Sequence, residues 1–121
     1  MTTNALDQIA LKQFIDDIGP AVGELIGHFI TDIRDKVSSL STLPDEPDIT
    51  SLAIHAHSLK GLSRTCGLNG ISDLAYELEK ACRNNNREQA MAFFADISST
   101  VEPTIEALKL FIDEHSVNQD S

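Results

Sequence analysis

Apolar residues recur every three or four positions along nearly the whole of this sequence, and nowhere does an alternating pattern run long enough for a strand ladder. A chain patterned this way has to bury helical stripes against one another. Its 121 residues suit one domain, spanning 1–121, able to build a core without metals or disulfides. That core has to be aliphatic, because aromatic residues make up only 5% of the chain and there is no Trp.

The first segment, about Asp7 to Ile18, carries Ile9, Leu11, Phe14, Ile15 and Ile18 and is stopped by Gly19-Pro20. The second runs from about Pro20 to Leu40, with Val22, Ile26, Phe29, Ile33, Val37 and Leu40 as its seam. Leu25 and Ile30 lie beside that seam and widen the apolar face. Residues 41–48 hold Pro44 and Pro47 among polar neighbours, which predicts a loop, with Asp48 as an N-cap. The third helix is expected over about 49–66, with Leu52, Ala56, Leu59, Ser63 and Cys66 inward and Gly67 as the C-cap glycine. The fourth is expected from about Gly70 to Arg83, with Ile71, Leu74, Ala75, Leu78 and Cys82 inward, followed by the polar turn Asn84-Asn85-Asn86. The fifth starts near Arg87 and places Met91, Phe94, Ile97, Val101, Ile105, Leu108 and Ile112 in register. Pro103 predicts a kink there or two consecutive helices. A frayed polar tail is expected from about Glu114. Short connections between long helices favour antiparallel neighbours, hence an all-α, up-and-down four-helix bundle with a short additional N-terminal helix.

Charge narrows the partners. Nine Lys+Arg against 19 Asp+Glu give a formal charge of −10, which disfavours nucleic acid and anionic membranes. No signal peptide and no membrane-length apolar run is visible, so a cytoplasmic protein is expected. Cys66 and Cys82 fall on apolar stripes and are expected to be buried free thiols.

The third helix carries the chemistry. At about 100° per residue, His57 stands roughly 140° from the Leu52 core direction and should reach solvent. Lys60, Gly61 and Arg64 follow at i+3, i+4 and i+7 on the same side, and Ile54 precedes at i−3. An imidazole is a good nucleophile toward an activated phosphoryl group near neutral pH. Lys60 and Arg64 are placed to offset the charge it would then carry. Gly61 removes a side chain beside the ring, at a cost of about 1 kcal/mol in helix propensity. Ile54, with Leu25 and Ile30, supplies apolar surface for docking. An exposed His near a Lys is common on helix surfaces, and the glycine inside the helix is what sets this one apart.

The run AHSLKGLSRTCGLNGISDLAYELE, from Ala56 to Glu79 with Gly67, Leu74 and Leu78 in place, resembles the histidine-containing phosphotransfer (HPt) domain family. The opening LDQIALKQFIDDIG resembles that family's short first helix, so the likeness covers nearly the whole chain. It implies that His57 is the phosphoacceptor, through Nε2, with Lys60 as electrostatic helper and Gly61 as the clearance position. Leu62 departs from the small residue many members have after that glycine, and the resemblance assigns no role to Arg64. It further implies a phosphocarrier and not an enzyme, relaying a phosphoryl group between aspartates of receiver domains of hybrid histidine kinases and response regulators. No cofactor is expected on this chain, which has no GxxxxGK[ST] loop; Mg²⁺ is expected in the partner receiver domain.

Other residues are expected to do less. His55 projects about 200° from His57 on the helix, so the pair cannot share a metal. It is expected to pack or hydrogen-bond, while His28 and His115 have no matching partners. No metal-ligand spacing is present, and Ser63 has no visible base. Two alternatives stand beside the carrier: an unphosphorylated adaptor that binds a receiver or kinase domain, and a metal-binding bundle, which lacks paired ligands. Met1 just ahead of the domain fits a free-standing protein, although a piece of a hybrid kinase would look similar.

Overall fold

The computed structural model describes residues 6–41 and 49–116. Among them the chain forms α1 (Gln8–Ile18), a 3₁₀ turn (Gly19–Ala21), α2 (Val22–Ser41), α3 (Ile49–Thr65), α4 (Asn69–Arg83) and α5 (Arg87–Ser116), and no strand. Of the expected loop at 41–48, Ser41 ends α2, while residues 42–48, with the expected Asp48 cap, and the side chain of Leu40 lie outside what is described. α5 continues to Ser116, past the expected onset of fraying at Glu114. No helix among the described residues is long and apolar enough to cross a membrane.

Helix ends follow local chemistry. Asp7 caps α1 by accepting from the Ala10 N–H at 3.0 Å. α3 closes in a Schellman motif: Leu68 N–H donates to Ser63 O at 2.8 Å and Gly67 N–H to Arg64 O at 3.1 Å. Gly67 has φ +73°, and a Cβ there would stand 2.9 Å from Leu11 Cγ. The Asp7 N–H donates to Gly67 O at 2.7 Å. The turn between α3 and α4 is thus the seat on which α1 starts. α4 ends in the same motif around Asn85, at φ 57°, a conformation Asn tolerates better than most residues. Asn86 then caps α5 by accepting from Gln89 N–H at 3.1 Å.

Three-residue connections return α3 onto α4 and α4 onto α5, and α2 completes the bundle by packing on both α3 and α5. The inner stripe of α3 is as expected, with Leu52, Ala56, Leu59, Ser63 and Cys66 all buried. They meet Ile71, Ala75 and Leu78 of α4 and Ile97, Val101, Ile105 and Leu108 of α5 in one core. Both cysteines are buried and free. Burial pushes the Cys66 thiol up to about 12, with Asp32 adding to the shift, and it raises Cys82 as well. Such thiols are inert at neutral pH.

Three expectations need correction. Ile30 does not widen a surface patch; it is 5% exposed and belongs to the core with Val22, Ile26 and Ile33. α2 is covered from more than one side, by α3 and α5 and by α1, whose Phe14 ring sits 6.4 Å from that of Phe29. Its buried face is therefore wider than a single seam. Met91 is 37% exposed, and Ala90 takes the inward place at the start of α5. Pro103 does not divide α5, which is one helix through it. Buried Val101, Thr104 and Ile105 hold the segment on both sides of the missing N–H.

Candidate functional site

α3 lies along α4, and their contact brings residues 22 positions apart onto one spot. His57 projects from α3 with 63% of its side chain exposed. Its Nδ1 lies 3.1 Å from Oε2 of Glu79 on α4. Lys60 Nζ is 3.2 Å from the other carboxylate oxygen, Oε1. Arg83, one turn further along α4, donates to Oε2 through Nε at 3.0 Å and Nη2 at 2.7 Å. One carboxylate thus collects a histidine, a lysine and an arginine.

Glu79 is 7% exposed. Burial pushes its carboxyl up, but the hydrogen bonds from Arg83, the close Lys60 ammonium and the His57 contact outweigh that push. The net shift is downward. Glu79 is therefore ionised at neutral pH, and an ionised carboxylate only accepts hydrogen bonds. It follows that His57 Nδ1 carries the proton. In the neutral ring Nε2 then holds the free lone pair, on a side chain open to solvent.

A pH dependence follows from that downward shift. A carboxyl whose folded pKa lies below its unfolded value binds fewer protons in the folded state. Its stabilisation is complete above the ordinary glutamate range of about pH 4.3 and is lost as the pH falls from there through the lowered folded value. Urea titrations between about pH 6 and pH 2.5 should show Glu79→Gln losing less stability on acidification than the wild type. Parallel curves would mean the carboxylate carries no such linkage.

The other expected residues are placed unequally. Gly61 is exposed, and a Cβ built on it meets nothing within 4 Å. Ile54 is 59% exposed on the His57 side of α3. Arg64 is exposed and lines a polar groove with Asp7, Asn69, Ser72 and Asp73. Leu25 is half-buried, as is His55, and Ile30 is out of reach in the core. The Ser63 hydroxyl is buried and finds no hydrogen-bond partner among the described residues, so no base stands beside it. Around the site the charge balance differs from that of the chain. α3 and α4 hold four of the nine Lys+Arg (Lys60, Arg64, Lys80, Arg83) but only three of the 19 Asp+Glu (Asp73, Glu77, Glu79).

Glu79 and Arg83 are the site residues that spacing along α3 does not reveal. A signal for Glu79 exists: with Ser72, Ala75 and Cys82 it continues a buried stripe of α4 at steps of three and four. A carboxylate on such a stripe needs cationic or hydrogen-bonding partners.

An exposed histidine thus meets a buried carboxylate through Nδ1, with a lysine one turn on, on one face of a helical bundle. The Hpt domain family model matches residues 24–115, and the chain belongs to that family. Among curated proteins it is similar to the phosphorelay intermediate protein rdeA of Dictyostelium discoideum, 23% identical over 109 residues. The match takes in 90% of this chain and 43% of that protein, so the chain spans under half of its relative's length. Among solved structures, the histidine-containing phosphotransfer protein ZmHP2 from maize superposes with a TM-score of 0.73 at 21% identity, over 92% of this chain and 87% of that one. That likeness establishes the shared helical fold.

Proposed function

We propose that the chain is a histidine phosphotransfer protein. It takes a phosphoryl group from an aspartyl phosphate of one receiver domain and passes it to an aspartate of another. The observation that carries this reading is the Nδ1–Glu79 contact of 3.1 Å, which leaves Nε2 as the nucleophile on a solvent-facing ring. The Nε2 lone pair attacks phosphorus, the P–O bond of the acyl phosphate breaks, and its electron pair leaves with the receiver's carboxylate. No proton has to move, because Nδ1 keeps its own. The positive charge that the ring gains is met by Glu79, and Lys60 offsets the charge of the phosphoryl oxygens. Mg²⁺, expected in the partner receiver domain, supplies further charge neutralisation there. The partners are receiver domains of hybrid histidine kinases and response regulators, and the setting is the cytoplasm. The chain acts as a carrier, with the reverse transfer using the same geometry.

The test is incubation with a radiolabelled, phosphorylated receiver domain. Acid-labile, alkali-stable label on this chain is expected. A chain that binds several receivers tightly and never takes up label would instead be an adaptor.

Gly61 supplies a second check. Its position has room for a side chain within the fold, so Gly61→Gln should raise stability by up to about 1 kcal/mol through helix propensity. The same change puts a side chain one turn from His57, in the path of the partner, and should slow transfer at least about tenfold. A variant more stable and equally fast would remove the clearance role.

A further inference from the structure

Lys60 is held from two directions. Besides Glu79 Oε1 at 3.2 Å, its Nζ lies over the ring of Tyr76, 5.3 Å from the centroid. Tyr76 is the single tyrosine of the chain and sits on α4, three residues before Glu79. It is 46% exposed and is not part of the core. A second cation, Lys80 Nζ, lies 5.0 Å from the same centroid and is itself drawn to Glu77 at 3.4 Å. An aromatic ring on a half-exposed helix position adds nothing to helix propensity. Its face, however, attracts an ammonium group electrostatically. Lysine has a long, flexible stem, and a charge that stabilises a reacting group works best when it is already in place.

We propose that Tyr76 is a positioning residue for phosphotransfer: the face of its ring holds the Lys60 ammonium beside Glu79 and His57. This rests on the phosphocarrier reading of the same site. The ring works through Lys60, so its contribution vanishes when Lys60 is absent. The phenolic hydroxyl is not needed, since the attraction comes from the π face.

The experiment measures single-turnover transfer from a saturating phosphorylated receiver domain for wild type, Tyr76→Leu, Tyr76→Phe, Lys60→Ala and the Lys60→Ala/Tyr76→Leu double variant. Tyr76→Leu should slow transfer about threefold, the size expected for an exposed cation–π contact. Tyr76→Phe should restore the rate, and Tyr76→Leu should add nothing to Lys60→Ala. In proton NMR spectra the Lys60 ε-CH₂ signals should be shifted upfield by the ring, a shift kept in Tyr76→Phe and lost in Tyr76→Leu. Wild type that labels while Tyr76→Leu transfers equally fast overturns the proposal alone. So does a Tyr76→Leu loss that persists in the Lys60→Ala background, which would place the ring against the partner. Wild type that takes no label removes the phosphocarrier reading, and this inference falls with it.

Discussion

His57→Gln takes up no phosphoryl group from a phosphorylated receiver domain and melts as the wild type does. The two halves of this expected result have separate causes. Glutamine carries its amide nitrogen at the level of Nε2, one bond beyond Nδ1, so the His57 contact with Glu79 is lost, but the ion pairs of Glu79 with Lys60 and Arg83 survive and keep that carboxylate partnered. The side chain at 57 is mostly outside the core, and substitutions there stay within about 0.5 kcal/mol. An amide nitrogen, by contrast, has no available lone pair and cannot replace Nε2 as nucleophile. The loss should be on the order of a hundredfold or more, limited by detection. Filter-bound radioactivity and a thermal melt on the same preparation read both halves. Label retained by the variant would move the site to another histidine, with His55 and His28 the first to test.

Gly67→Ala should be the most damaging small substitution for the fold. Two costs add. A residue with a Cβ pays about 1–2 kcal/mol in the left-handed conformation that Gly67 adopts at φ +73°. The new methyl also meets Leu11 Cγ at 2.9 Å and the Asp7 carbonyl oxygen at 3.4 Å. Leu11 is 1% exposed, so the contact can be relieved only by moving α1, and overpacking of this kind costs about 1–3 kcal/mol. Together the loss should be about 2–5 kcal/mol, read as a lower urea midpoint at unchanged slope. Gly67→Asn separates the two costs, since Asn tolerates the conformation but brings the same Cβ. It should recover only part of the loss. A Gly67→Ala variant within about 0.5 kcal/mol of wild type would show that α1 does not depend on this seat.

Much of this could be anticipated from the sequence because the determinants are local. Asp7 and Gly67 mark the ends they occupy, and the three-four spacing of Leu52, Ala56, Leu59, Ser63 and Cys66 places His57 outward without knowledge of any neighbour. What could not be anticipated depends on neighbours. Whether Ile30 is core or surface is decided by how many helices cover α2, and periodicity within α2 does not contain that number. Glu79 reaches His57 only because α4 folds back beside α3, so the pairing crosses helices, and the α3 spacing that found Lys60 and Gly61 could not reach it. Pro103 illustrates the reverse: a strong local signal for interruption yields to the packing of residues on both sides.

The uneven placement of charge has a mechanical consequence. On a strongly anionic chain, α3 and α4, with four cations against three carboxylates, form a less negative part of the molecule, and the histidine stands on it. In the field of an approaching surface such a body experiences a torque before any atoms touch. An acidic cleft turns the histidine face forward and pushes the rest of the molecule back, so encounters begin pre-aligned. The torque fades beyond about 8 Å at physiological ionic strength, which confines the alignment to the last few ångströms of approach, where orientation decides whether a collision becomes a transfer.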